Sequence, residues 1–231
     1  FDRGSYVQVQ PDKHRIVGYT TRNSGGVTSE FKNWFVIDFG ERNFDYVAVT
    51  DGKDIRKGQT EAREDHSGAI VGFRTKHRDV VTARVASSFI SLEQAERNLG
   101  ELGTKSFDEV AQAGRKTWND VLGRIEVQGG SEEQMRTFYS CLWRSLHFPR
   151  RFYELDAQGK PVHYSPYNGK VLPGYLFADT GVWDTFRCLF PFLNLVYPSM
   201  NEEMQAGLVN AYLESGYLPE WSSPGHRDCM I

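Results

Sequence analysis

The 231-residue sequence lacks any run approaching the ~20 apolar residues that a membrane-spanning helix requires. It has no excess of charge of either sign: a net charge of −3 and a pI near 6.1 leave no basic footprint for nucleic acid. Clusters such as Lys53 to Arg63 are mixed in sign, as a solvated loop would be. Cysteine is scarce, and the three present, Cys141, Cys188 and Cys229, form no CxxC pair of the kind used for zinc or redox chemistry. Cys141 and Cys188 sit in apolar helical patterns, where a small buried thiol is expected. No charged-then-apolar leader opens the chain, which begins at Phe1 and stops at Ile231 directly after a motif, so both ends read as cut from a longer protein. With 39% apolar and 25% charged residues, the composition is that of a folded globular chain.

The first ninety residues read as β-structure. Tyr6 to Gln10, Arg15 to Thr20, Trp34 to Phe39, Phe44 to Thr50, Ala69 to Phe73 and Val80 to Ile90 are short runs rich in Val, Ile and aromatics, separated by Gly, Asn and Asp. In the last run Val81, Ala83 and Val85 alternate with polar residues, which predicts that they face a core. Asp51 to His66 reads as a long charged loop. An antiparallel sandwich without convergent polar chemistry is the simplest account of this segment.

After Ser91 the period changes. Ser91 with Gln94, Ser106 with Glu109, Ser131 with Gln134 and Ser199 with Glu202 have capping-box spacing, so four helix starts are predicted. A helix from Phe107 should end at a left-handed Gly123 and lead into a short strand, Arg124 to Val127. The strongest helix runs from Glu132 to about His147, with Met135, Phe138, Tyr139, Leu142, Trp143 and Leu146 on one stripe. Strands first and helices after is the pattern of two layers or domains, not of a doubly wound sheet. The boundary is expected near residue 91, with 91–130 as a helical linker.

The candidate chemistry lies in Asp179 to Arg187 and after Leu218. Thr180 reads as an N-cap, with Asp184 in the first turn and Arg187 three residues on, where the two can pair. Trp183, Phe186, Phe190 and Leu193 follow one stripe, and Pro191 should kink the helix or divide it. Asp184 can simply complement the helix dipole, or accept two sugar hydroxyls. Trp183, Asp184, Arg187 and Trp221 together supply carboxylate, guanidinium and aromatic faces, the small polar set in an apolar cup that a sugar pocket needs. Trp221, in a Pro- and Gly-containing loop, is a lid on a core or a stacking platform. In the run His226-Arg227-Asp228-Cys229, four adjacent side chains cannot all point at one ion, and a structural role suits His226. Asp179 reads as a cap and His163 as a strand surface residue.

The motifs WDTFR (183–187), LPEW (218–221) and CM (229–230), backed by ASSFIS (86–91), FYSCLWRSL (138–146), FPRRFYE (148–154) and HYSPYNG (163–169), resemble family 92 of the glycoside hydrolases, the calcium-dependent exo-α-mannosidases. The resemblance implies an N-terminal antiparallel β-sandwich (1–90), a helical linker (91–130) and the first helices of an (α/α)₆ toroid (131–231). It implies an enzyme acting on terminal mannose of glycans with inversion, exported to the periplasm, cell surface or medium. It assigns Trp183, Asp184, Arg187, Trp221, Arg227, Asp228 and Cys229 to the sugar pocket. The family's acid and base lie in segments downstream of Ile231, so Glu220 is not the acid. Inversion needs two carboxyl groups about 6.5–9.5 Å apart, and calcium needs six to eight oxygen ligands. No loop with that spacing occurs in 1–231, so this piece should be silent alone. A carbohydrate-binding module, or another toroidal glycosidase of trehalase-like or glucoamylase-like type, are the competing readings.

Overall fold

The alternating apolar residues of the first ninety positions form two antiparallel sheets in the computed structural model, which describes residues 4–23 and 25–227. The strands are β1 (Ser5–Gln10), β2 (Arg15–Thr20), β3 (Asn33–Asp38), β4 (Tyr46–Thr50), β5 (Ile55–Lys57), β6 (Glu61–Glu64), β7 (Gly68–Gly72) and β8 (Arg84–Ser88). One sheet has the order β6-β1-β2-β3-β8 and the other β5-β4-β7. Because side chains alternate between faces, Val7 and Val9 of β1, Ile16 of β2 and Ala62 of β6 turn toward Val49, Val47, Ala69 and Val71 of the second sheet, closing a sandwich core.

Two expectations for this part are corrected. Residues 51–66 are not one loop: they carry β5 and β6, which were invisible as strands because each lies at a sheet edge and, apart from Ile55 and Ala62, consists of charged residues. In β8 the face is reversed. Val85 is exposed, and Ala86 instead joins Val17, Val36, Ala95 and Leu99, since an offset of one residue turns the whole set over. Ala95 and Leu99 belong to α1 (Leu92–Gly100), started by Ser91, whose hydroxyl accepts from the Gln94 N–H at 3.1 Å. This helix covers the outer face of the five-stranded sheet.

The capping boxes at Ser106 and Ser131 both form, opening α2 (Phe107–Leu122) and α3 (Glu132–Ser145). Gly123 ends α2 at φ −68°, not in the left-handed region. Arg124 to Val127 is no strand; Ile125 joins the helical core and its carbonyl accepts from the Tyr139 hydroxyl at 3.0 Å. On α3, Leu142 is buried with Tyr139 and Leu146 beside it, against Leu193, Tyr197 and Met204. Phe138, Trp143 and Cys141 of the same helix are exposed, as is Cys188.

Next come the short strands β9 (Arg150–Arg151), β10 (Glu154–Leu155), β11 (Pro161–Tyr164), β12 (Val171–Pro173), β13 (Phe177–Ala178) and β14 (Thr180–Gly181). They are followed by α4 (Val182–Thr185), α5 (Leu189–Val196), α6 (Pro198–Ser215) and β15 (Trp221–Ser222). Strands β10, β11 and β12 form one small sheet, β9 pairs with β13, and β14 with β15. The predicted helix is divided, but ahead of Pro191, over residues 186–188. The proline sits in the first turn of α5, where no backbone donor is needed. Ser199 does not cap α6, which begins at Pro198 after Tyr197; Gly216 closes it in the left-handed conformation at φ 93°.

The two halves share a core. Phe31, from the segment joining β2 and β3, packs with Phe152, Tyr164, Leu176, Ala178 and Ala211 of the second half. Glu154 ties the same seam: its Oε1 accepts from the Ser88 hydroxyl at 3.0 Å and the Phe89 N–H at 2.8 Å, and its Oε2 from Asn98 at 2.6 Å. His163, expected on a strand surface, is fully buried against Gly174 and Glu214.

Candidate functional site

The pairing of β14 with β15 joins two of the motif segments, setting Thr180 opposite Ser222 and Gly181 opposite Trp221. The Asp179 N–H donates to the Ser222 carbonyl at 2.7 Å and the Val182 N–H to the Glu220 carbonyl at 2.9 Å, so the ladder runs on into the first residue of α4. Thr180 is therefore committed to the strand and cannot be the N-cap. The helix starts one residue later, from Gly181, with no side-chain cap.

Asp179 is not a cap either. It holds a left-handed backbone (φ 61°), receives Arg150 Nε on Oδ2 at 2.6 Å, and accepts from the Ser223 hydroxyl on Oδ1 at 3.0 Å. One carboxylate thus fastens β9 and the 221–227 segment to the root of α4. That segment is a hairpin: Ser222 bridges to His226, and the Arg227 N–H donates to the Trp221 carbonyl at 3.1 Å. His226 stacks on Tyr217, ring centres 4.2 Å apart, and meets Tyr167 at 4.5 Å, which accounts for it structurally. Burial, with Glu214 nearby, pushes the Tyr167 hydroxyl far above its ordinary range, so it is a donor at neutral pH.

Gly181 is where the set converges. A β-carbon added there would stand 2.3 Å from Trp221 Cε3 and 2.7 Å from Asp184 Oδ2, so the indole edge and the carboxylate oxygen approach the same point. Trp183, 49% exposed, and Asp184, also exposed, project from the tip of α4 beside them. Arg187 makes no ion pair with Asp184. The helix has a single turn ending at Thr185, so the i, i+3 geometry does not reach Arg187. Its guanidinium instead lies over the Phe186 ring at 5.1 Å, exposed to solvent. Arg227 is exposed at the end of the hairpin. Asp228 and Cys229 lie outside the described residues.

The structure therefore brings Asp184 and Trp221 together at Gly181, with Trp183 exposed on α4 one residue before Asp184. It also exposes residues the sequence reading overlooked: Gly181, whose missing side chain admits Trp221, and the Asp179–Arg150 pair. A glycine between a strand-forming threonine and a helix start was the available signal for the first; the second is a pairing across 29 positions with no local trace. Among the described residues, no group of three His, Cys, Asp or Glu side chains comes together that could hold a metal ion.

A β-sandwich followed by helices, with an exposed aromatic and acidic cluster at a helix tip, is an architecture suited to a glycan-active protein. Comparison with known proteins defines it further. The model of the glycosyl hydrolase family 92 N-terminal domain matches residues 2–88, and that of the family 92 catalytic domain matches residues 94–231. The chain belongs to glycoside hydrolase family 92. It is 43% identical to the family GH92 inverting mannosidase of Bacteroides thetaiotaomicron VPI-5482, with a TM-score of 0.96 over 100% of this chain and 31% of that one. The family GH92 α-mannosidase of Bacteroides thetaiotaomicron in complex with mannoimidazole matches at 23% identity and a TM-score of 0.84, over 99% of this chain and 30% of that one, a likeness of fold. No curated protein matches. The chain thus spans about a third of the length of the solved structures it resembles.

Proposed function

We propose that this chain is the sugar-binding front portion of an exo-acting α-mannosidase that removes terminal α-linked mannose from glycans with inversion. The observation that carries the reading is the convergence of Trp221 and Asp184 on Gly181, with Trp183 exposed on α4 next to Asp184 in sequence. An indole face covers the C–H surface of a hexose while a carboxylate accepts from its hydroxyls. Arg187 and Arg227, with Asp228 and Cys229 following Arg227 in sequence, complete the proposed wall. The 43% identity to an inverting mannosidase supports the substrate class.

In this reading residues 1–90 close a sandwich domain, 91–130 link it onward, and 131–231 begin an (α/α)₆ toroid whose remaining helices supply the acid and the base. Calcium belongs to the proposal, but the described residues do not fit an ion cage, so its ligands would come from elsewhere. The enzyme would be exported, to the periplasm, the cell surface or the medium, and the 231-residue chain alone would be inactive.

The test is hydrolysis of α-mannosides by the full-length protein, with the first-formed anomer followed by NMR and with a calcium chelator as a second arm. Release of β-mannose, lost on chelation, is expected. Cleavage of glucosides but not mannosides, or no cleavage at all, would overturn the reading. Asp184→Asn should lower kcat/KM by about ten- to a hundredfold, since a hydrogen bond to a charged acceptor contributes about 1.5–3 kcal/mol.

A further inference from the structure

The tip of the hairpin that carries Trp221 and Arg227 is pressed against the segment joining β2 and β3 of the sandwich. A β-carbon added at Gly225 would stand 1.6 Å from the Gly26 carbonyl oxygen, and one added at Gly26 would stand 2.0 Å from the His226 carbonyl oxygen. Two backbones meet there with room for a side chain on neither. The segment bearing Gly26 is held just beyond it to the second half, by the Thr28 and Tyr164 hydroxyls, 2.7 Å apart, and by Phe31 in the shared core. On the hairpin side, the Ser223 N–H donates to the Gly225 carbonyl at 2.8 Å, Ser222 bridges to His226, and Arg227 is bonded back to Trp221. The backbone from Trp221 to Arg227 is thus one hydrogen-bonded piece, so the contact at its tip fixes where that piece stands.

We infer that Gly26 and Gly225 are positioning residues for the sugar pocket: the segment joining β2 and β3, through this backbone contact, sets the place of the hairpin presenting Trp221 and Arg227. The inference rests on the sugar-pocket reading above. Neither glycine touches the sugar; both act through the hairpin.

The structure supplies its own control. Gly25 shares the segment and a positive φ of 115°, yet a β-carbon there meets nothing within 4 Å. Gly25→Ala therefore brings backbone strain without collision, whereas Gly26→Ala and Gly225→Ala bring collision. In the full-length enzyme, Gly26→Ala and Gly225→Ala are expected to lower kcat/KM for an α-mannoside about ten- to a hundredfold, as misplacement of a binding group by about 1 Å does. The loss should fall mainly on KM. Amide hydrogen exchange over 217–227 should quicken in both, and Gly25→Ala, strained but without collision, should change both quantities far less. Combined, the two collision variants should lose less than the product of the single losses, because they relieve one shared contact. Phe31→Leu, which loosens the anchor without touching the contact, should move KM and exchange in the same direction to a smaller extent, and it serves if an alanine variant fails to fold. Collision variants indistinguishable from Gly25→Ala in KM and exchange would overturn the inference. If the unaltered enzyme cleaves no mannoside, the functional reading fails while the exchange comparison still decides the positioning claim.

Discussion

His163 Nε2 lies 2.8 Å from Glu214 Oε1, and its Nδ1 lies 2.8 Å from the Gly174 carbonyl oxygen, with the imidazole fully buried. A carbonyl oxygen only accepts, so Nδ1 carries a hydrogen. The second contact needs another hydrogen, owned by the ring or by the carboxyl. In either form the pair is neutral overall. It fastens the β11–β12 hairpin to the last turn of α6, just ahead of the site segment. Among the described residues the second carboxyl oxygen of Glu214 has no hydrogen-bond partner, so losing His163 strands the whole carboxyl. His163→Leu should therefore lower stability by about 3–5 kcal/mol, whereas His163→Leu combined with Glu214→Met should lose far less, because no buried charge remains. Urea unfolding of the single and double variants checks this; equal losses would contradict it.

The contrast between this pair and helix α3 shows what could be read in advance. The stripe on α3 and the boxes at Ser106 and Ser131 involve residues three or four apart, so their spacing is written locally. His163 and Glu214 are 51 positions apart, and a histidine between Val162 and Tyr164 in a short strand looks like any surface residue. Strands β5 and β6 escaped notice because charged edges carry no alternation. At the candidate site, the motifs identified Trp183, Asp184, Arg187 and Trp221 as a set. The meeting of Asp184 and Trp221 at Gly181 depends on the two-residue pairing of β14 with β15, which no propensity encodes. The Asp184–Arg187 pair was expected from a continuous helix, and the one-turn α4 removes its basis.

Phe31 tests whether the halves fold as one body. Its ring stacks on Phe89 at 5.5 Å and on Phe152 at 6.5 Å, and meets Tyr164 edge-on at 6.0 Å, although it enters from the sandwich side. Phe31→Ala should lower stability by about 3–5 kcal/mol, the usual range for emptying a buried aromatic site. Because the cavity lies on the seam, unfolding should also broaden or divide into two steps in calorimetry. A small loss in a single sharp transition would show that the seam contributes little.

Tyr153 gives a pH signature. Burial chiefly, opposed by Arg151 and helped by Glu203, pushes its hydroxyl up to about 12. It donates to Glu203 Oε2 at 3.2 Å. The fold holds this proton more tightly than the unfolded chain, where a tyrosine ionises near 10, so the unfolded state loses its proton first. This contribution to stability is fully present below about pH 10, falls as pH rises toward about 12, and then levels off. Tyr153→Phe should remove that part of the slope, leaving a flatter stability profile in this window. The absorbance of folded tyrosinate should lose a component titrating near pH 12. An unchanged slope would assign the alkaline loss to other groups.

Gly181 is the sharpest probe of the site, because its backbone (φ −93°, ψ 117°) is ordinary for any residue. Gly181→Ala carries no conformational penalty and would slightly stabilise the chain by restricting the unfolded state. Any harm must come from the β-carbon meeting Trp221 and Asp184. The expected cost is about 1–3 kcal/mol of stability, typical of overpacking, with a fall in kcat/KM of about ten- to a hundredfold in the full-length enzyme as indole and carboxylate are pushed apart. Adding Trp221→Ala separates the two effects. With the indole gone much of the collision is relieved, so stability should recover toward that of Trp221→Ala alone, while mannoside turnover should stay low because the stacking face is lost. If Gly181→Ala instead binds and cleaves mannosides like the unaltered enzyme, the close approach of Trp221 and Asp184 is packing alone, and the sugar pocket must be built from other residues.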